Sequence, residues 1–175
     1  MDYKRELRES ILPFWLKNAM DYKNGGIYTC LDEDGTVYDT EKSVWFQGRC
    51  LWTFSKLCNT YGMKEEWAKA ADAGAEFIKK YCIDQADGRM YFTVTTDGQG
   101  IQKRRYYFSE TFAAIGCAEY YKATGDENAL ADAEKYFDVA FECFSGVRKT
   151  TPKTNPETCN MKSLSPAMIM LSTSQ

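Results

Sequence analysis

The chain has 175 residues, of which 44% are hydrophobic and 27% are charged, and it contains no long glycine-, serine- or proline-rich tract. This composition excludes disordered and collagen-like classes and predicts a globular protein of about one domain, at roughly 150 residues per domain. The formal net charge is −3, and no basic run exceeds Lys103-Arg104-Arg105, so we expect no nucleic-acid partner.

Histidine is absent from the sequence. Because imidazole is the usual acid or base near pH 7 and the commonest metal ligand, any catalytic histidine must lie outside this chain. The seven cysteines are scattered and never occur as C-x-x-C, which favours reduced, mostly buried thiols over a zinc site or a disulfide framework. No metal or cofactor is predicted. The charged N-terminus does not look like a signal peptide and no membrane-length apolar run occurs, so we expect a cytoplasmic protein with no membrane partner.

The first predicted element is a helix from Asp2 to Met20, which Pro13 should kink near its middle. A β-hairpin from Ile27 to Tyr38 follows, since an Asp-Gly pair there separates alternating apolar residues. A helix pair comes next, from about Glu41 to Tyr61 and from Met63 to Tyr81, with a glycine between the two helices as the stop signal.

The same order of elements is predicted again further along the chain. A hairpin from Met90 to Ile101 precedes helices from about Tyr107 to Ala123 and from Glu127 to Phe144. A loop from Ser145 to Asn160 leads to a last helix that begins near Ser165-Pro166. Apolar residues at helical spacing predict the core faces of the second and fourth of these paired helices: Trp67, Ala70, Ala71, Gly74, Phe77 and Ile78, and then Leu130, Ala133, Phe137, Ala140 and Phe141.

A gapless internal repeat underlies this order, with an offset of 63 residues. The matched pairs are Gly25 with Gly88, Tyr28 with Tyr91, Asp34-Gly35 with Asp97-Gly98, Trp45 with Phe108, Gly62 with Gly125, and Ala70 with Ala133. Six such units would close a ring of roughly 380 residues, the size of an α/α toroid. The predicted fold is therefore all-α, about three helix hairpins of an (α/α)6 toroid with short β-hairpin insertions, and residues 1–175 are expected to be the N-terminal half of that domain.

One helical face carries the best candidate for chemistry. Trp45, Arg49 and Trp52 are spaced by four and three residues, so they share a face. Indoles can pack on a sugar ring while a guanidinium binds oxygens or steadies a developing enolate. The alternative interpretation is that both tryptophans are core residues and that Arg49 pairs with a buried carboxylate.

The repeat-equivalent helix start has diverged. Glu110 occupies the position of Gln47, and Phe112 that of Arg49. Glu110 could be a polar sugar ligand or the ion partner of Arg49 or Arg105. A polar loop entering the last helix could contribute Asn160 and Lys162, or it could simply be solvated.

Several segments, taken together, resemble the N-acylglucosamine 2-epimerase family, which includes the renin-binding proteins. They are Ile11-Leu12-Pro13-Phe14-Trp15, Asn24 to Asp32, Asp34-Gly35, Val37 to Thr40, Trp45 to Arg49, Tyr107 to Ala114, and Met161 to Leu164. The resemblance implies an α/α toroid of about twice this length that interconverts N-acetylglucosamine and N-acetylmannosamine by removing and returning the C2 proton. The family's acid and base are histidines of its later half.

Carried over by position, the resemblance implies that Arg49 stabilises substrate or enolate, and that Tyr107, Glu110, Asn160 and Lys162 bind substrate, with Tyr106 adjacent to Tyr107. It implies an amino-sugar substrate and allows a nucleotide activator and a homodimer of the complete protein. The isolated chain is expected to be inactive. The alternatives are a noncatalytic carbohydrate- or protein-binding module, a disaccharide 2-epimerase or aldose-ketose isomerase, and, as the weakest, a glycosidase that uses Glu110.

Overall fold

The computed structural model describes residues 2–175 and opens with a helix in three parts. These are α1 (Tyr3–Glu6), a π-helical segment (Leu7–Ile11) and α2 (Leu12–Asn18). The π-helical turn lies directly before Pro13, whose missing N–H and ring disturb the regular helical hydrogen bonds. The disruption expected at this proline is therefore a widened turn, in which the Leu12 N–H donates to the Leu7 carbonyl.

Five α-helices and five short strands make up the rest. The helices are α3 (Val44–Tyr61), α4 (Glu65–Tyr81), α5 (Phe108–Thr124), α6 (Glu127–Ser145) and α7 (Leu164–Thr173). The strands are β1 (Cys30–Leu31), β2 (Val37–Asp39), β3 (Lys42–Ser43), β4 (Thr93–Val94) and β5 (Gly100–Gln102). The predicted helices are confirmed to within three residues at each end. The helix expected from Glu41 begins later because Lys42 and Ser43 pair with β4.

The strands join the repeats. β1 and β2 form an antiparallel hairpin, whereas β3, β4 and β5 form a three-stranded antiparallel sheet in that order. Because β3 belongs to the first repeat and β4 to the second, the sheet connects the two hairpins. The entrances to α3 and α5 are thereby held side by side.

The helices pack in two layers. α3, α5 and α7 lie next to one another, and α4 and α6 pack against that layer. The core between the layers is apolar and includes Leu51, Phe54, Trp67, Phe77, Ile78 and Cys117. This arrangement places the start of α3 beside the start of α5.

The predicted core face of α4 is confirmed, since all six of its residues are buried. The prediction for α6 is wrong in part. Its buried face is formed by Ala129, Ala133, Tyr136, Val139, Ala140 and Cys143, whereas Phe141 is 51% exposed. The aromatic residues of α6 dominate its periodicity, but only packing against α5 and α7 decides which side is covered.

The repeat extends to individual backbone hydrogen bonds. The Gly25 N–H donates to the Asp21 carbonyl and the Gly88 N–H to the Asp84 carbonyl, both at 2.8 Å. The Tyr28 N–H donates to Ala19 at 2.7 Å, and the Tyr91 N–H donates to Cys82 at 2.9 Å. The two hairpin entrances therefore share one backbone design.

The outer side of α6 and α7 exposes apolar side chains. Phe141 and Phe144 of α6 and Leu164, Met168 and Leu171 of α7 are exposed, whereas Met170 is buried. Within the stretch from Met168 to Leu171, the two end residues are therefore the exposed ones. Within residues 2–175, no helix is both long enough and apolar enough to cross a bilayer.

Candidate functional site

Arg49 is an exposed residue in the second turn of α3. Its guanidinium carbon lies 4.2 Å from the ring centroid of Phe112 and 5.4 Å from that of Phe46. No carboxylate of residues 2–175 lies within ion-pair distance of it. The alternative of a buried carboxylate partner is therefore wrong within the described chain, and the guanidinium donors remain available to a ligand.

Trp45 belongs to a cluster of four rings, here called the aromatic wall: Trp45, Phe92, Phe108 and Phe112. The Trp45 ring lies 5.0 Å from Phe92, 5.4 Å from Phe108 and 6.0 Å from Phe112, measured between centroids. Its indole Nε1 is buried and has no hydrogen-bond partner in the described residues. A buried indole N–H without an acceptor is uncommon in native structures.

Sequence reasoning missed three rings of this wall, although the repeat offered a signal for two of them. Phe108 is the repeat equivalent of Trp45, and Phe112 is the equivalent of Arg49. Their helices, α3 and α5, pack directly together, so equivalent positions come into contact. Phe92 lies just before β4, and no sequence pattern placed it at the site.

Trp52 is not part of the wall. It is 39% exposed and lines a separate groove of about 560 Å³ with residues of α5 and α6. The rings within cation–π distance of Arg49 in residues 2–175 are Phe46 and Phe112. The expected cation between two indoles is therefore replaced by a cation between two phenyl rings.

Glu110 is 1% exposed and accepts hydrogen bonds from Arg89 Nε at 2.5 Å and from the Met90 N–H at 3.0 Å. Its ion partner is thus Arg89, and the predicted partners Arg49 and Arg105 are both wrong. Burial acts to lower the pKa of Arg89, but the Glu110 carboxylate outweighs it and keeps that pKa above its usual value.

The internal repeat explains why the side chain at position 110 is buried and hydrogen-bonded. Gln47, the equivalent of Glu110, accepts from the Ile27 N–H at 2.9 Å and donates to the Ile27 carbonyl at 2.8 Å. Both side chains tie a hairpin entrance to the start of the following helix. The contacts of Glu110 are therefore structural, although its Oε2 is buried without a hydrogen-bond partner in the described residues.

The two adjacent tyrosines occupy different environments. Tyr107 is buried beside Ala140, Cys143 and Met170, and burial raises the pKa of its hydroxyl to about 12. Tyr106 is half-buried and stacks on Phe108 with centroids 5.3 Å apart. Tyr106 thus extends the aromatic wall, and Tyr107 lies between helices α5, α6 and α7.

Asn160 and Lys162 are exposed in the loop before α7. Within residues 2–175, Lys162 makes no ion pair, so no such contact fixes this loop to the wall. Of the predicted site residues, the structure brings together Arg49 and Trp45, which both contact Phe112.

The known proteins that this chain resembles in sequence are named as sugar 2-epimerases. A family model described as N-acylglucosamine 2-epimerase (GlcNAc 2-epimerase) matches residues 26–173. The rat N-acylglucosamine 2-epimerase is 35% identical over 133 residues, which are 74% of this chain and 32% of the rat protein. The cellobiose 2-epimerase of Ruminococcus albus is 34% identical over 151 residues, which are 86% of this chain and 36% of that protein. The chain thus spans about a third of the length of these curated relatives.

Solved structures agree with the fold. A sugar epimerase from a ruminal bacterium superposes with a TM-score of 0.71 at 32% identity, covering 82% of this chain and 36% of that one. The cellobiose 2-epimerase of Spirochaeta thermophila gives a TM-score of 0.81 at 24% identity, covering 97% of this chain and 46% of that one. These neighbours are (α/α)6 toroids, which confirms the predicted fold class.

Proposed function

Because the chain belongs to the N-acylglucosamine 2-epimerase family, we propose that it forms the N-terminal half of a toroidal sugar 2-epimerase, an isomerase that interconverts N-acetylglucosamine and N-acetylmannosamine. Residues 1–175 would then be part of one larger domain. Support comes from the family match across residues 26–173 and from the solved epimerases, of which the chain covers 36% and 46%.

The observation that carries this proposal is the exposure of the Arg49 guanidinium beside the aromatic wall. An exposed guanidinium without a carboxylate partner in residues 2–175 lies 4.2 Å from the Phe112 ring, next to the aromatic wall. In a 2-epimerisation, the carbonyl acidifies the C2 proton, and removal of that proton places negative charge on the carbonyl oxygen. Arg49 would bind that oxygen, and preorganised donors of this kind lower the barrier as the charge develops.

The aromatic wall would hold the sugar. Flat rings pack against the apolar face of a pyranose, and the rings around Trp45 form such a surface next to Arg49. Asn160 and Lys162 would reach the substrate from their loop. Because the chain contains no histidine, the acid and base would come from outside it, and the isolated chain would bind sugar without turning it over.

Three further proposals concern the complete protein. We place it in the cytoplasm, since buried free thiols such as Cys58, Cys82 and Cys117 suit a reducing compartment. The expected nucleotide activator and homodimer also apply to the complete protein. They would be tested on that protein by activity with and without nucleotide and by its mass in solution.

A disaccharide 2-epimerase is the second candidate function. The Ruminococcus albus cellobiose 2-epimerase is 34% identical over 86% of this chain, a longer match than that of the rat enzyme. A disaccharide requires a second sugar-binding surface. The exposed groove at Trp52 could supply it, since that groove lies on the same helix as Arg49.

Sugar binding tests the proposal directly. The 175-residue chain would be titrated with N-acetylmannosamine, N-acetylglucosamine and cellobiose while tryptophan fluorescence is followed. We expect N-acetylmannosamine to bind, and Arg49→Gln to weaken binding at least about tenfold, or about 1.4 kcal/mol. The matched control is Arg8→Gln, because Arg8 is also exposed and also lies over a ring, that of Tyr61 at 5.9 Å.

Two results would contradict the proposal. Equal binding by the Arg49→Gln and Arg8→Gln variants would remove Arg49 from the site, and preference for cellobiose would favour the second candidate. Proton exchange is followed separately, by deuterium incorporation at C2 of N-acetylmannosamine in D₂O. We expect no incorporation above the uncatalysed background, and turnover by the isolated chain would show that the acid and base lie within it.

A further inference from the structure

We infer that a cavity beside the aromatic wall binds a phosphate group. The second hairpin and the segment after α6 enclose about 460 Å³, within the roughly 300–1,000 Å³ of small-molecule sites. We call it the basic cavity, because its lining includes the five cations Arg89, Lys103, Arg104, Arg105 and Lys149. Gln102, Thr150 and Thr151 complete the lining.

Two of the five cations already have carboxylate partners. Arg89 pairs with Glu110 at 2.5 Å. Lys103 pairs with Asp84 at 2.6 Å and with Asp87 at 2.8 Å. These pairs already neutralise the charges of Arg89 and Lys103.

The other three cations have no such partner. No carboxylate of residues 2–175 lies within ion-pair distance of Arg104, Arg105 or Lys149. The two arginines are held by aromatic rings, Arg104 at 4.5 Å from Phe92 and Arg105 at 5.3 Å from Tyr106. Arg104, Arg105 and Lys149 thus present three positive charges without carboxylate partners at one cavity, which favours an anion there.

Tyr106, which lies beside Arg105, is influenced by the same positive charges. The pKa of the Tyr106 hydroxyl lies below its usual value, chiefly through its hydrogen bond with Arg105 and also through Lys153. Groups that stabilise a phenolate would stabilise a bound anion in the same way.

The composition of the cavity favours phosphate over a carboxylate. A phosphate monoester carries about −1.5 to −2 charges at pH 7 and three strong acceptor oxygens, which matches several cations better than a single negative charge does. Guanidinium groups present paired donors to phosphate oxygens. The hydroxyls of Thr150 and Thr151 add neutral donors at the same edge.

The position of the cavity suits two sources of the phosphate. Phe92 contacts Arg104 on one side and Trp45, at 5.0 Å, on the other, so the cavity adjoins the aromatic wall. The phosphate could therefore be attached to a sugar that lies on the wall, or it could belong to a separate phosphorylated effector. Both sources use the same recognition chemistry.

The probe for the test is inorganic phosphate, titrated into the 175-residue chain at low ionic strength and followed by the ³¹P line width. We expect saturable binding that the double variant Arg104→Gln/Arg105→Gln weakens at least about tenfold. The matched control is Lys135→Gln, an exposed cation of α6 that does not line the cavity. Circular dichroism of each variant checks that its fold is retained.

Absence of saturable phosphate binding would overturn the inference, and so would equal weakening by Lys135→Gln. Hexosamine 6-phosphate and unphosphorylated hexosamine then separate the two sources. Tighter binding of the sugar phosphate than of phosphate supports a phosphate carried by the sugar, and equal affinities support a separate effector. The inference does not depend on the epimerase proposal, because phosphate binding and the Arg49-dependent sugar binding are measured independently.

Discussion

Gly48 of α3 lies directly against the backbone of Phe112 in α5. A Cβ on Gly48 would come within 2.6 Å of the Phe112 carbonyl carbon, and a Cβ on Gly116 would come within 2.8 Å of the Gly48 oxygen. The two helices can approach this closely only because neither position carries a side chain. The approach places the Arg49 guanidinium 4.2 Å from the Phe112 ring centroid, so backbone packing sets the geometry of the candidate site.

Gly48→Ala should therefore destabilise the chain. The methyl group would meet rigid backbone, and overpacking of this kind reduces the free energy of unfolding by about 1–3 kcal/mol. The control is Gly74→Ala in α4, where the nearest atom to a new Cβ is 3.6 Å away, so the higher helix propensity of alanine should stabilise by about 0.5–1 kcal/mol. Urea unfolding measures both, and changes of the same sign would contradict the packing argument.

Lys42 and Asp21 form a buried ion pair that joins the two repeats. The fully buried Lys42 Nζ donates to Asp21 Oδ2 at 2.7 Å, to the Gly25 carbonyl at 2.7 Å and to the Thr96 carbonyl at 3.0 Å. We expect Lys42→Met to lower the free energy of unfolding by about 3–5 kcal/mol, because Asp21 would be left buried without its cation.

The matched control for Lys42 is Lys69→Met. Lys69 pairs with Glu65 on the exposed face of α4, and solvent-exposed pairs of this type contribute little to the free energy of unfolding. Asp21→Asn in the Lys42→Met background should recover part of the loss. A double-mutant cycle measures the coupling, and a coupling near zero would refute the description of Lys42 and Asp21 as a unit.

The same pair predicts a pH dependence. Burial alone would raise the pKa of Asp21, but hydrogen bonds from Lys42 and Asn24 hold it well below its usual value of 3.8. Because the pKa is lower in the folded state, Asp21 stabilises the fold above about pH 4, and this contribution is lost as the pH falls further. Urea unfolding between pH 2 and 5 should therefore show a shallower decline for Asp21→Asn than for the wild type, and parallel declines would contradict the shift.

Glu110 and Gln47 allow a comparison of a charged and a neutral side chain in equivalent places. Glu110→Ala should reduce the free energy of unfolding by about 3–5 kcal/mol, because it leaves the largely buried Arg89 without its carboxylate. Gln47→Ala should cost about 1–3 kcal/mol, since only the polar groups of Ile27 lose partners. Equal losses in chemical denaturation would show that the charge of Glu110 adds nothing to its hydrogen bonds.

The exposed apolar side chains of α6 and α7 predict self-association. Phe141, Phe144, Met168 and Leu171 lie on neighbouring helices, and apolar surface of this kind marks an interface or an aggregation hazard. Sedimentation should show oligomers that dissociate when Met168 and Leu171 are replaced by glutamine. The control is replacement of Tyr38, which is also exposed but lies on the hairpin, and this change should leave the oligomers intact. A monodisperse wild-type monomer would contradict the prediction.

The sequence by itself determined the helical repeat, the glycine-punctuated hairpins and the toroid fold class. Helical periodicity and turn residues are local signals that are readable over short stretches, and the offset of 63 residues is found by comparing the chain with itself. The core face of α4 followed for the same reason, because its small and apolar residues form one continuous stripe.

Only the tertiary structure decided what surrounds each site residue. It placed Arg49 between Phe46 and Phe112, assigned Arg89 as the partner of Glu110, and turned Phe141 of α6 outward. It also placed Lys149 in the same cavity as Lys103, Arg104 and Arg105, which in the sequence are only three consecutive basic residues. The physical reason is that these contacts connect residues distant in the chain, and their distances depend on how closely helices and hairpins pack rather than on any local pattern.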